Sequence, residues 1–329
     1  MLRQNPPPTS INPMTTSVLL PPSTTAAETP TRGWHRPLLI VAAAMAVLSL
    51  VAGAGLLFDD RVLVGAPLWL KPLKFTVSFT IYAATLSWLL SLTRRAPRTT
   101  WWLGLIVAAA LVAEMALIFV QIGFRGRQLH FNQSTVIDTN FTIVMAFTIY
   151  ALWGATLAIA ILAMTQRLGG PAITLAIRLG LGLTVIGLAL GMLMVMPTAQ
   201  QQAAIDAGQH LAIVGGHSVG VADGGPGLPF LNWSTTGGDL RIPHFLGIHA
   251  LQLLPLIALL AGRLLRRGER VTARLVWVAA GAYAGLLVLL TWQALRGQPL
   301  LAPDAATLAA AGALCAVTLG AGVLAVRRG

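Results

Sequence analysis

The stretch GDLRIPHFLGIHALQLLP, Gly238 to Pro255, begins with charge and ends as an apolar run. Its second half reads as the opening of a membrane-spanning helix. Asp239, Arg241 and His244 precede that run, and His249 and Gln252 are set within it. Pro243 suits the first helical turn, where its missing N–H has no partner to lose. On a regular helix His249 and Gln252 lie about 60° apart on one face, several residues below the surface. His244 lies about 140° from His249, so the two imidazoles do not form the paired i, i+4 ligands of a helical zinc site. Asp239, Arg241 and His244 are expected in water or headgroups, and His249 and Gln252 on the wall of a polar pocket.

The rest of the 329-residue chain fits a lipid environment. Hydrophobic residues make up 56% and charged residues 10%, well below the quarter usual in soluble domains. Mean hydropathy is +0.76. Eight apolar segments follow one another at 37–58, 73–92, 101–122, 139–163, 173–196, 242–262, 273–295 and 305–326. Each is near the roughly 20 residues that cross a hydrocarbon core as a helix. Continuous apolarity selects helices over the alternating strands of a barrel. The expected fold is an all-α integral membrane protein, a bundle of about eight transmembrane helices. The single cysteine, Cys315, excludes an internal disulfide and any CxxC pair.

Basic residues set the orientation. Fifteen of the 22 fall on the side that carries both ends of the chain, and seven on the other. The positive-inside rule then puts both termini in the cytoplasm, in the inner (cytoplasmic) membrane. The net charge of +12 is thereby a topology signal matched to anionic inner-leaflet lipids, and nucleic acid is not an expected partner. Residues 1–36 are rich in Pro, Thr and Ser and read as a disordered cytoplasmic tail; 37–326 form the membrane domain. A long outer loop at 197–241 carries many glycines and is placed to cover the outer mouth as a lid.

Polar residues inside the spans mark candidate sites. Lys71, Lys74, Ser78, Tyr82 and Thr85 fall within about 80° on the second helix, a stripe running down from the outer surface. Glu114 is the one acid deep in a span, about 14 Å below Gly123, and Gln121 and Arg125 share its face. An outer loop rich in polar residues follows, with Arg127, His130, Asn132 and Asp138; Asp138 is placed to cap the fourth helix. Gly180, Gly182, Gly187 and Gly191 let the fifth helix approach its neighbours closely.

These residues support three functional classes. In the first, the outward pocket binds a metal or small polar ligand, as in a membrane metalloenzyme. Glu114 and His249 act as acid or base, and His130, His244 and His249 bind a transition metal such as zinc. Haem fits less well, because only His249 lies well within a span. Lys71, Lys74, Ser78, Tyr82, Gln121, Arg125, Arg127, Asn132, Asp138, Arg241 and Gln252 are the ligand-binding candidates. The second class is a proton-coupled transporter of a small anionic substrate, with Lys71, Lys74 and Arg125 attracting the anion. The third is a structural or sensory protein whose polar groups join helices.

The phrases KPLKFTVSF, HFNQSTVIDTNF and LNWSTTGGDLRIPHFLGIHALQLLP resemble those of bacterial multi-pass integral membrane proteins. The resemblance covers most of the membrane region and implies its architecture, with no activity attached. Alkaline-ceramidase-like hydrolases offer a precedent for a histidine-bound zinc inside a helical bundle. Their HxxxH pattern is missing here, so none of their residues is carried over.

Overall fold

The computed structural model describes residues 33–265 and 268–327, so most of the tail expected over 1–36 lies outside the described residues. The chain enters α1 (Arg36–Phe58) through His35, whose Nδ1 accepts from the Leu38 N–H as the helix cap. A hairpin, β1 (Val62–Leu63) and β2 (Ala66–Pro67), leads to α2 (Leu70–Ser91). Its turn puts Val64 and Gly65 both at positive φ, 50° and 69°, the backbone that a two-residue hairpin needs. Helix α3 (Pro97–Ile118) runs on into a widened π-type turn over Phe119–Phe124.

Helix α4 (Val136–Met164) is capped by Thr135, whose hydroxyl accepts from the Asp138 N–H. Asp138 is therefore not the cap that its position implied: it stands in the first turn with its carboxylate fully buried. Helix α5 (Pro171–Leu190) is followed by a short α6 (Met192–Val195) and the long loop. That loop is more ordered than its composition implies. It contains α7 (Ala199–Asp206), opened by a capping box of Thr198 and Gln201, and its second half is closed by the pairing of β3 (Ser218–Val219) with β4 (Gly238–Asp239).

The expected sixth span is broken. It consists of α8 (Arg241–Ile248) and α9 (Ala250–Leu265), bent by 50° with His249 at the junction. The face angles expected of one regular helix therefore do not apply between His244, His249 and Gln252. A break inside a bundle must satisfy the backbone groups it frees. Thr184 of α5 does so from both sides, donating to the Ile248 carbonyl at 3.4 Å and accepting from the Leu251 N–H at 3.1 Å. Tyr283 donates its hydroxyl to the Leu246 carbonyl. Close packing holds the two pieces in place: a Cβ on Gly187 would stand 2.3 Å from the backbone carbon of Gly247. The chain ends with α10 (Glu269–Leu295) and α11 (Ala305–Arg327).

Among the described residues seven helices are long and apolar enough to cross a membrane, eight if α8 and α9 count as one bent span. They pack in two groups, α1–α4 and α5 with α8–α11. The groups meet where α4 packs on α5 and α2 on α9. Both the main core and the cavity described next lie at this seam.

Candidate functional site

A cavity of about 310 Å³ lies at the loop end of the seam, within the usual size of a ligand pocket. Its polar wall collects residues from four elements. Lys71, Lys74 and Ser78 come from successive turns of α2, His130 from the loop after α3, and His217 and Asp223 from the long loop. Arg241 and His244 come from α8. The hairpin tip packs over this end, because Gly65 lies so close to the 224 turn that a Cβ there would stand 2.3 Å from the Gly224 carbonyl oxygen.

Hydrogen-bond chemistry fixes the proton positions. The Lys71 ammonium lies 2.8 Å from His130 Nδ1. An ammonium can only donate, so His130 Nδ1 is a bare acceptor and the neutral ring carries its proton on Nε2. Burial, reinforced by the charge of Lys71, holds the His130 pKa well below the ordinary 6.5. His217 Nδ1 lies 2.9 Å from an Asp223 oxygen and must donate, because a carboxylate only accepts. Burial also lowers the His217 pKa, with the Asp223 contact pulling the other way. For Asp223, burial works against the charge, but the His217 ring and the backbone N–H groups of His217 and Ser218 outweigh it. Its carboxyl is held below the usual range. His244 donates from Nδ1 to the Gly187 carbonyl at 2.8 Å.

The cations differ in how fully they are used. Arg241 gives Nε and Nη2 to Asp239, and Nη2 also reaches the Asn232 carbonyl, which leaves Nη1 unspent among the described contacts. Asp239, 1% exposed, also accepts from the Ser234 N–H. The pair is thus a buried clamp, not the solvated helix start expected. Lys74 donates to the Leu231 carbonyl at 2.9 Å. An ammonium has three donors, and each lysine spends one on a neutral acceptor. Neither lysine is ion-paired among the described residues.

No family model, curated protein or solved structure matches the chain. What the site can do therefore rests on its own geometry.

The remaining predicted residues divide among other positions. Glu114 lines the lower, apolar part of the cavity, 3% exposed, and accepts a hydrogen bond from Thr148 on α4. His249 and Gln252 are not among the lining residues. His249 instead backs the cavity wall, with its Nε2 3.2 Å from the Ser78 hydroxyl, within reach for proton transfer. The Gln252 amide neighbours it and is buried with neither its oxygen nor its nitrogen hydrogen-bonded. Tyr82 turns away and donates to Thr156, whose own proton goes to the Leu152 carbonyl.

Gln121, Arg125, Arg127 and Asp138 come together in a separate cluster. Asp138 accepts from Arg127 at 2.5 Å and from Gln121 at 2.7 Å, with Arg125 at 3.2 Å. Arg125 also donates to the Gln121 amide oxygen. Asn132 is buried and serves its own loop, donating to the Gln128 carbonyl and accepting from the Ser134 N–H. The metal candidates do not converge: His130 faces Lys71, His244 faces Gly187 and His249 faces Ser78. Among the described residues no three His, Cys, Asp or Glu side chains form a metal-holding group.

Sequence reasoning did not select His217, Asp223 or Thr148. His217 and Asp223 sit six residues apart in a glycine-rich loop, where only a sharp turn brings an imidazole onto a carboxylate. Only the packing of α3 beside α4 brings Thr148 to Glu114.

Proposed function

We propose that the chain is a multi-pass protein of the cytoplasmic membrane, with both termini inside, whose cavity faces outward and binds a small oxyanion. The charge bias of the loops supports this orientation, and the membrane-length helices support insertion. One observation carries the binding reading: Lys71, Lys74 and Arg241 line a single cavity, and among the described residues neither lysine is ion-paired. Burying a cation without a counter-charge is costly unless a ligand supplies one. The unspent donors on both ammoniums and on Arg241 Nη1 converge from α2 and α8, an arrangement suited to the several oxygens of a phosphate or carboxylate.

The test is a titration of the purified full-length chain with glycerol 3-phosphate, followed by isothermal calorimetry. Saturable binding is expected, weakened by about ten-fold or more for each of Lys71→Met and Lys74→Met, in line with the loss of one charge-assisted contact. Binding that survives the double variant unchanged overturns the reading.

A further inference from the structure

The lining of this cavity is divided along its length. Its cations lie together at the loop end. Below them the wall is apolar, with Phe79, Met145, Ile149, Leu152 and Ile248 among its residues. On α4 the lining runs from Thr142 to Leu152, ten residues on, a rise of about 15 Å. A small, fully hydrated anion would occupy only the top of such a space.

The cavity also reaches the side of the bundle. Ile149 and Tyr150 on α4 line it and are 37% and 52% exposed; Met192 and Val195 on the α5–α6 side line it and are 37% and 47% exposed. Residues that line the cavity and are also exposed thus stand on both α4 and the α5–α6 side, where a lateral slot would lie. Exposed apolar side chains at helix level face hydrocarbon if the helices are inserted, so this slot would connect the cavity to the acyl-chain region of the bilayer. The loop end, by contrast, is roofed by the hairpin and the 223–225 turn.

We infer that the natural ligand is an anionic amphiphile: its phosphate or carboxylate head sits among Lys71, Lys74 and Arg241, and its single acyl chain runs down the apolar part after entering between α4 and α5–α6. This rests on the oxyanion reading above and adds the chain to it. The division of the wall is the argument. A head alone leaves the apolar lining uncovered, while an uncharged lipid leaves the free ammonium donors of Lys71 and Lys74 without a charged acceptor. The Glu114 carboxyl, engaged by Thr148, lies about one turn of α4 above Leu152 in this part of the lining.

The experiment compares three probes on the full-length protein in nanodiscs, read by native mass spectrometry: oleoyl lysophosphatidic acid, glycerol 3-phosphate and monooleoylglycerol. The lysophospholipid is expected to bind at least about ten-fold tighter than either of the others, since chain burial and head charge both contribute. Ala146→Trp, which fills the slot, should weaken the lysophospholipid by about ten-fold and leave glycerol 3-phosphate unchanged; Ala146→Leu gives a milder form of the same change if tryptophan is not tolerated. Equal affinity for glycerol 3-phosphate and the lysophospholipid, indifferent to Ala146→Trp, overturns the amphiphile and keeps the oxyanion. Monooleoylglycerol binding as tightly as the lysophospholipid overturns the role of the charged head. If none of the three binds, both readings fall.

Discussion

Two charged clusters stand at the loop end of the bundle, and they are built on opposite principles. Around Asp138, one fully buried carboxylate meets two guanidiniums, an amide and a hydroxyl, and every partner is fixed. Around Lys71 and Lys74, two ammoniums meet an imidazole nitrogen and a backbone carbonyl, both uncharged. The first cluster is saturated, so adding a ligand would gain nothing. The second leaves donors unspent at the wall of a cavity. Charge density alone does not separate them; the balance of partners does.

That contrast predicts opposite responses to neutralisation. Asp138→Asn should cost about 3 kcal/mol of stability, because two arginines lose the buried charge that compensates them. The low end of the usual range applies, since Arg125 and Arg127 remain partly exposed. Lys71→Met should leave stability within about 1 kcal/mol of the wild type or raise it, because it removes an unpaired cation from a half-buried site. Denaturant unfolding in detergent measures both. Equal losses would place the two clusters in the same structural class and remove the reason to single out the lysines.

A smaller effect is expected at the hinge that joins the cavity to the second helix group. Thr184→Val keeps the shape of the side chain but leaves the Leu251 N–H and the Ile248 carbonyl without their partner, at a cost of about 1–3 kcal/mol. Because this break sets the positions of His244 and His249, the variant should also weaken glycerol 3-phosphate binding. Asp138→Asn, which touches no lining residue, should leave binding intact once the protein is folded. Full binding in Thr184→Val would show that the cavity does not depend on the bend.

The sequence was legible wherever a property is additive along the chain. Length and apolarity located each membrane-length helix within a few residues, and the α2 stripe led to Lys71, Lys74 and Ser78 on one wall. It was illegible wherever a partner sits far away in the chain. The break at His249 is invisible in 242–262, because Pro255 lies beyond it and the groups that make it tolerable, Thr184 and Tyr283, come from two other helices. Arg125 and Lys74 looked alike as outer-side cations. Only the fold shows that Asp138 takes the first and no carboxylate takes the second. Glu114 and His249 were expected to face each other across one pocket, but α3 packs on α4 and gives Glu114 to Thr148, while α2 gives Ser78 to His249.

The smallest expected effect is a dependence on pH confined to one of the two clusters. His130 and His217 are held neutral in the fold, with pKa values below the 6.5 of a free imidazole. His130 faces Lys71, His217 and His244, all of which disfavour its protonation. His217 faces Lys71 and Arg241, and Asp223 partly offsets them. Near and below pH 6.5 the unfolded chain binds protons at these positions that the folded chain refuses, so their contribution to stability is complete above that pH and declines as the pH falls through the window beneath it. Protonation would also remove the His130 lone pair that Lys71 uses. His130→Asn retains an acceptor for the ammonium but no titrating ring, so the variant should show a flatter decline below pH 6.5 than the wild type in pH-stepped thermal unfolding. The Asp138 cluster contains no imidazole, and Asp138→Asn should lower the whole curve without changing its slope there. A slope that survives His130→Asn but disappears with Asp138→Asn would reverse the assignment of which cluster is poised and which is saturated.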